Sequence, residues 1–162
     1  MSNTIIIKKR FKDFDKKIQV DGDKSLSIRW VLFASIANAK SVAQNLLLSE
    51  DVIAAINAIR KLGIKITINK KTCAVYGKGI DGYQYKKNLT INAKNSGTLG
   101  RLILGLLINT PYPIKLIGDK SLSKRDFKRI SDPLSKFGAT FILNKNKNLP
   151  LKIFGSKKLN PI

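Results

Sequence analysis

The chain has 162 residues, with 31 Lys+Arg against 10 Asp+Glu for a formal net charge of +21, no histidine and one cysteine. Without His, and with Cys73 alone, there is no Ser-His or Cys-His nucleophile pair, no Cys/His zinc site and no disulfide framework. The 43% hydrophobic and 25% charged composition is that of a folding chain with a core, and no apolar run approaches the roughly 20 residues of a membrane span.

At the N-terminus Ile5, Ile6 and Ile7 precede Lys8 and Lys9, the reverse of a secretory signal, and a lone cysteine suits a reducing compartment, so a cytoplasmic protein is expected. Residues 17–20 read as a short strand, followed by a polar loop and an apolar helix over 30–39. Ser49 is a candidate N-cap with Glu50 and Asp51 in the first turn, and Val52, Ile53, Ile56 and Ile59 form a helical stripe that stops at Gly63. Ile64, Ile66 and Ile68 alternate with polar residues as a half-buried strand does, and 72–76 is its hairpin partner. Cys73 within that strand reads as a small buried hydrophobe.

The second half repeats the theme. Residues 89–92 read as a strand, 95–98 as a turn, 101–108 as a helix stopped near Pro111, and 113–117 as a strand. Phe127, Ile130, Leu134 and Phe137 have helical spacing over 124–136, interrupted by Pro133 and stopped at Gly138. Strands at 139–143 and 151–154 close the pattern. The expected class is α+β, two βαβαββ units at about 20–88 and 89–162 with no linker between them. The last residues, Asn160-Pro161-Ile162, follow soon after a strand with no capping helix, so the chain reads as cut.

Self-similarity sharpens the reading. Gly22-Asp23-Lys24-Ser25-Leu26-Ser27-Ile28-Arg29 recurs as Gly118-Asp119-Lys120-Ser121-Leu122-Ser123-Lys124-Arg125, identical at seven of eight positions. Two copies of one loop suggest two copies of one unit. Ahead of a helix such a loop suits an anion: glycine admits close backbone approach, Ser hydroxyls and first-turn amides donate, Lys24 adds a point charge and Arg29 a planar fork. Asn95-Ser96-Gly97-Thr98 is a further helix-opening turn, and each of the three turns is followed by an arginine, Arg29, Arg101 or Arg125. The competing reading, a nonenzymatic basic module for anions or nucleic acid, is weakened by the cation type. Lysines outnumber arginines 25 to six and are scattered along the chain, whereas nucleic-acid recognition favours arginine.

The first loop, then Asn45-Leu46-Leu47 with Ser49-Glu50-Asp51, then Asn95-Ser96-Gly97-Thr98, then the second loop with Asp132-Pro133-Leu134, resembles the 5-enolpyruvylshikimate-3-phosphate (EPSP) synthase family from about Val20 onward. The resemblance implies transfer of the enolpyruvyl group of phosphoenolpyruvate to the 5-hydroxyl of shikimate 3-phosphate, with release of phosphate and with no metal or organic cofactor. It implies the enolpyruvyl transferase fold, two lobes of repeated βαβαββ units, of which this chain is an incomplete N-terminal lobe. It assigns Lys24 to the junction of both substrates, Ser25 and Arg29 to shikimate 3-phosphate, and Asn95, Gly97 and Arg125 to phosphoenolpyruvate. The proton-handling carboxylates belong to the second lobe, so no catalytic residue is expected in this chain, which by itself would be inactive unless that lobe is supplied in cis or in trans. Nucleic acid and membrane are not among the implied partners. Five positions depart from the family pattern: Asp21 and Asp126 stand where Pro is usual, Lys94 where Gly is usual, and Ile28 and Trp30 follow no pattern of the family. A positive φ at residue 94 would put this lysine against the phosphoenolpyruvate side.

Overall fold

The structure, a computed structural model, describes residues 4–6, 8–9 and 15–161; part of the N-terminal run discussed above and Ile162 lie outside them. Helix α1 (Lys24–Ser35) leads to strand β1 (Lys40–Ala43), helix α2 (Glu50–Lys61) and the hairpin β2 (Lys65–Asn69) and β3 (Thr72–Tyr76). Strand β4 (Leu89–Asn92), helix α3 (Gly97–Leu106) and strand β5 (Ile114–Ile117) follow. A single 3-10 turn (Leu122–Lys124), helix α4 (Lys128–Lys136) and the hairpin β6 (Thr140–Ile142) and β7 (Leu151–Phe154) complete the order.

Two sheets result. The first has strand order β1-β3-β2, all antiparallel; the second has order β4-β5-β7-β6, with β4 parallel to β5 and the remaining pairs antiparallel. The three-strand pattern β1-β3-β2 is therefore repeated as β5-β7-β6, and the second half reads in full as βαβαββ. Among the described residues the first half shows no counterpart of β4. Residues 17–20, expected as that strand, are exposed and unpaired with any sheet. At the end of this segment Gly22 is clamped against the chain after β1, where an added Cβ would meet the Asn45 carbonyl oxygen at 2.2 Å. The Asn45 side-chain amide donates to the Val20 carbonyl at 3.1 Å, and Lys71 pairs with Asp21 at 2.6 Å. That contact holds the Asp21 carboxyl below its usual range, chiefly through the Lys71 hydrogen bond.

The helices pack between the sheets around one core. Of the predicted stripe, Val52, Ile56 and Ile59 of α2 are fully buried, in one core with Ile28 and Val31 of α1, while Ile53 is half-buried at its edge. Each such aliphatic side chain contributes about 1.5–3 kcal/mol relative to exposure. Cys73 is fully buried, and burial pushes its thiol up. At the far end of α1 the Ser35 hydroxyl shares a 2.7 Å hydrogen bond with the buried Tyr83 phenol, whose pKa burial raises to about 12. No helix among the described residues is long and apolar enough to cross a membrane.

Several boundaries differ from expectation. Helix α1 begins at Lys24, inside the polar loop, because Asp23 caps it: its carboxylate accepts from the Leu26 amide at 2.7 Å. The helix expected over 124–136 starts only at Lys128, because Phe127 drops into the core and Asp126 opens a new turn by accepting from the Lys128 amide at 2.7 Å. Pro133 does not interrupt α4, which continues to Lys136 and stops at Gly138, φ +105°. Strand β1 was not expected at all.

Candidate functional site

The helix-opening loops meet at one end of the molecule. A polar cavity of about 400 Å³ is lined by Lys24 from the start of α1, Glu50 and Asp51 from the first turn of α2, Asn95, Gly97, Thr98 and Arg101 around the start of α3, and Arg125 from the loop before α4. The starts of three helices therefore border the same space, and their positive ends favour an anion there. Local sequence explains the convergence. Asp23 and Ser96 are both side-chain N-caps, Ser96 accepting from the Leu99 amide at 3.3 Å, so α1 and α3 start at fixed points. Asn92 and Ile117 are paired at the ends of the parallel strands β4 and β5, which places the turns that follow them side by side.

The charged lining is specific in its geometry. Gly97 is buried, and a Cβ there would lie 2.7 Å from an Arg125 guanidinium nitrogen and 3.1 Å from one of Arg101, so both cations occupy the space that the missing side chain leaves. Arg101 rests over the ring of the fully buried Phe127, 5.7 Å from its centroid, which fixes its plane. Neither guanidinium pairs with a carboxylate among the described residues. Lys24 Nζ lies 3.2 Å from Asp51 Oδ2. Of the sequence-derived candidates, Lys24, Asn95, Gly97 and Arg125 come together here. Ser25 and Arg29 do not line this cavity; Arg29 is exposed and donates to the Ser25 carbonyl of its own helix at 3.2 Å.

The loop chemistry differs in part from the sequence reading. Gly22 admits the Asn45 carbonyl rather than a ligand, and the Leu26 amide is taken by Asp23. The Ser27 hydroxyl is also occupied, accepting from the Leu47 amide at 3.2 Å. Lys94 does have the positive φ, +54°, yet its side chain lines a neighbouring groove of about 550 Å³ with Asn57, Arg60, Lys61 and Asn92, and it is absent from the cavity wall. Glu50 and Asp51 join the site without having been singled out for it; Arg101 and Thr98, noted as parts of the third helix-opening turn, join it without an assigned role. For Arg101 a signal existed, an arginine one turn into a helix opened by a Ser/Gly/Thr turn. For Asp51 the sequence shows only a favourable first-turn acid.

The family model of EPSP synthase (3-phosphoshikimate 1-carboxyvinyltransferase) matches residues 8–162. A 3-phosphoshikimate 1-carboxyvinyltransferase of Leuconostoc mesenteroides is 39% identical over 146 residues, covering 90% of this chain and 33% of its own length. One from Streptococcus agalactiae is 42% identical over 146 residues, again covering 90% of this chain but 34% of itself. The solved structure of EPSP synthase from Acinetobacter baumannii superposes with a TM-score of 0.84 at 33% identity, covering 91% of this chain and 33% of that one. The chain thus spans about a third of the length of the relatives it matches, and over that third it shares the α+β fold of the EPSP synthase structure.

Proposed function

The chain belongs to the EPSP synthase family, and from that premise we propose that the cavity is one wall of a site for two multiply charged anions, phosphoenolpyruvate and shikimate 3-phosphate. In this reading the complete enzyme moves the enolpyruvyl group to the 5-hydroxyl of shikimate 3-phosphate by addition and elimination and releases phosphate, a step of aromatic amino-acid biosynthesis in the cytoplasm. The observation that carries the reading is the convergence of Lys24, Arg101 and Arg125 with Asn95 and Gly97 at three helix N-termini. Preformed cations of this kind stabilise charge without reorganising.

Within that reading Lys24 sits between the two substrates, while Asn95, Gly97 and Arg125 face phosphoenolpyruvate. Ser25 and Arg29 are carried by the family resemblance, and Arg29 must give up its bond to the Ser25 carbonyl to reach shikimate 3-phosphate. Residues 20–88 and 89–162 act as two units of the N-terminal lobe. The opposite wall, with the carboxylates that move protons, comes from the second lobe in cis or in trans. Alone, the chain binds and does not turn over.

Titration calorimetry tests this. The expected result is weak binding of shikimate 3-phosphate, lost in both Lys24→Ala and Arg29→Ala, with no phosphate released from the two substrates. Salt-steep binding to any polyphosphate, insensitive to either change, would instead identify a nonenzymatic anion- or nucleic-acid-binding module. Phosphate release at the rate of an intact relative would overturn the claim that the chain alone is inactive.

A further inference from the structure

Lys24 occupies an electrostatically poor position. As the first residue of α1 it sits at the positive end of the helix, α1 has no acidic residue in its first turn, and Arg101 and Arg125 line the same cavity. A strongly hydrated ammonium on a flexible four-carbon stem would, under those forces, turn out to water. It instead points across to α2, 3.2 Å from Asp51 Oδ2. Asp51 is well anchored: it lies in the first turn of α2, where the helix dipole favours a carboxylate, and its side chain is 20% exposed against 52% for Lys24. Its neighbour Glu50 also lines the cavity but forms no ion pair among the described residues, where Asp51 is the one carboxylate on Lys24.

We propose that Asp51 is a positioning residue, holding the Lys24 ammonium over the cavity so that the phosphate or carboxylate group of a small organic anion meets it there and displaces the carboxylate as it binds. The inference rests on the anion-site reading above. Asp51 acts through Lys24 and makes no contact of its own with the ligand. Because the pair is partly exposed, it contributes little to folding. Its effect therefore belongs to binding rather than stability.

The test compares Asp51→Asn and Asp51→Glu with the parent chain, using phosphoenolpyruvate as the titrant, thermal unfolding as the stability control and the NMR signals of the Lys24 side-chain terminus as the structural readout. Expected are affinity reduced about tenfold in Asp51→Asn, substantial recovery in Asp51→Glu, unchanged melting, and motional averaging of the Lys24 signals in Asp51→Asn alone. Tighter binding in Asp51→Asn would show that Asp51 serves only as a repelling charge and would overturn the proposal, as would unchanged affinity. Loss of binding together with a lowered melting temperature in both variants would assign Asp51 a purely structural part. If the parent chain binds neither phosphoenolpyruvate nor shikimate 3-phosphate, the anion-site reading fails by itself. The Lys24 signals of the unliganded chain then still decide whether Asp51 holds the ammonium.

Discussion

The two copies of Gly-Asp-Lys-Ser-Leu-Ser begin alike and end differently. In both, the aspartate carboxylate accepts from the leucine amide three residues on, Asp23 from Leu26 and Asp119 from Leu122, each at 2.7 Å. In both, the second serine amide donates to the aspartate carbonyl, at 3.0 Å for Ser27 and 2.9 Å for Ser123. Six shared residues thus specify one capped turn. After it, Ile28, Val31 and Leu32 bury themselves along a twelve-residue helix, whereas in the second copy the turn lasts three residues before Phe127 breaks away into the core. Their places in the fold differ too. The first copy opens the first helix of its half, like Ser96 before α3, while the second follows β5 and precedes the second helix of its half. The repeated peptide marks a repeated aspartate-closed turn, an N-cap in the first copy only, and not equivalent positions in two repeated units; those are marked by the strand orders β1-β3-β2 and β5-β7-β6.

Removing the residue that ends the second copy should have the largest effect. Phe127 is fully buried, touches the space beside Gly100 and carries the Arg101 guanidinium. Phe127→Ala is expected to cost about 3–5 kcal/mol in urea denaturation and to release Arg101 from its plane. A cost below about 1 kcal/mol would mean that the Lys-Arg-Asp sequence, rather than burial of the ring, stops the second helix.

The difference between the copies also marks what the sequence could reveal. Helix α2 was legible because Ser49, Glu50 and Asp51 open it and four apolar residues recur on one face. Helix α1 was legible in its middle but not at its start: Leu26 and Phe33 are exposed, so the hydrophobic pattern has no clean polar side from which to read a boundary. Strand β1 is four residues long and half-exposed, too short for period-two alternation to stand out. The cavity was half legible. Turn chemistry points to Lys24, Asn95, Gly97 and Arg125, but the pairing of Lys24 with Asp51 depends on how α1 packs on α2, which no local pattern encodes.

The glycines that open the two copies separate the shared turn from its surroundings. A Cβ on Gly22 would meet backbone, the Asn45 carbonyl at 2.2 Å and the Leu47 amide at 3.0 Å; a Cβ on Gly118 would meet the Leu122 side chain at 2.7–3.0 Å. Backbone cannot yield without dragging the loop after β1, while a leucine can change rotamer. Gly22→Ala is therefore expected to cost at the upper end of roughly 1–3 kcal/mol, and Gly118→Ala at the lower end, by chemical denaturation. Equal losses would show that the turn itself requires glycine.

The smallest expected effect isolates the cap. Asp23→Ala and Asp119→Ala each delete one carboxylate-to-amide hydrogen bond of identical length, and N-cap losses are worth about 0.5–2 kcal/mol. The Asp23 cap is followed by a helix that continues for twelve residues, so its loss should lower melting and also reduce helical ellipticity as the first turn frays. Asp119 closes a three-residue turn whose Leu122 is already fully buried, so tertiary packing keeps the turn in place and the ellipticity should hardly change. The first turn of α1 also carries Lys24. Fraying there should weaken anion binding more than the Asp119 change does, even where the two melting shifts agree. Equal ellipticity and equal binding losses would mean that the two aspartates act alike throughout, and that the divergence after them has no bearing on the site.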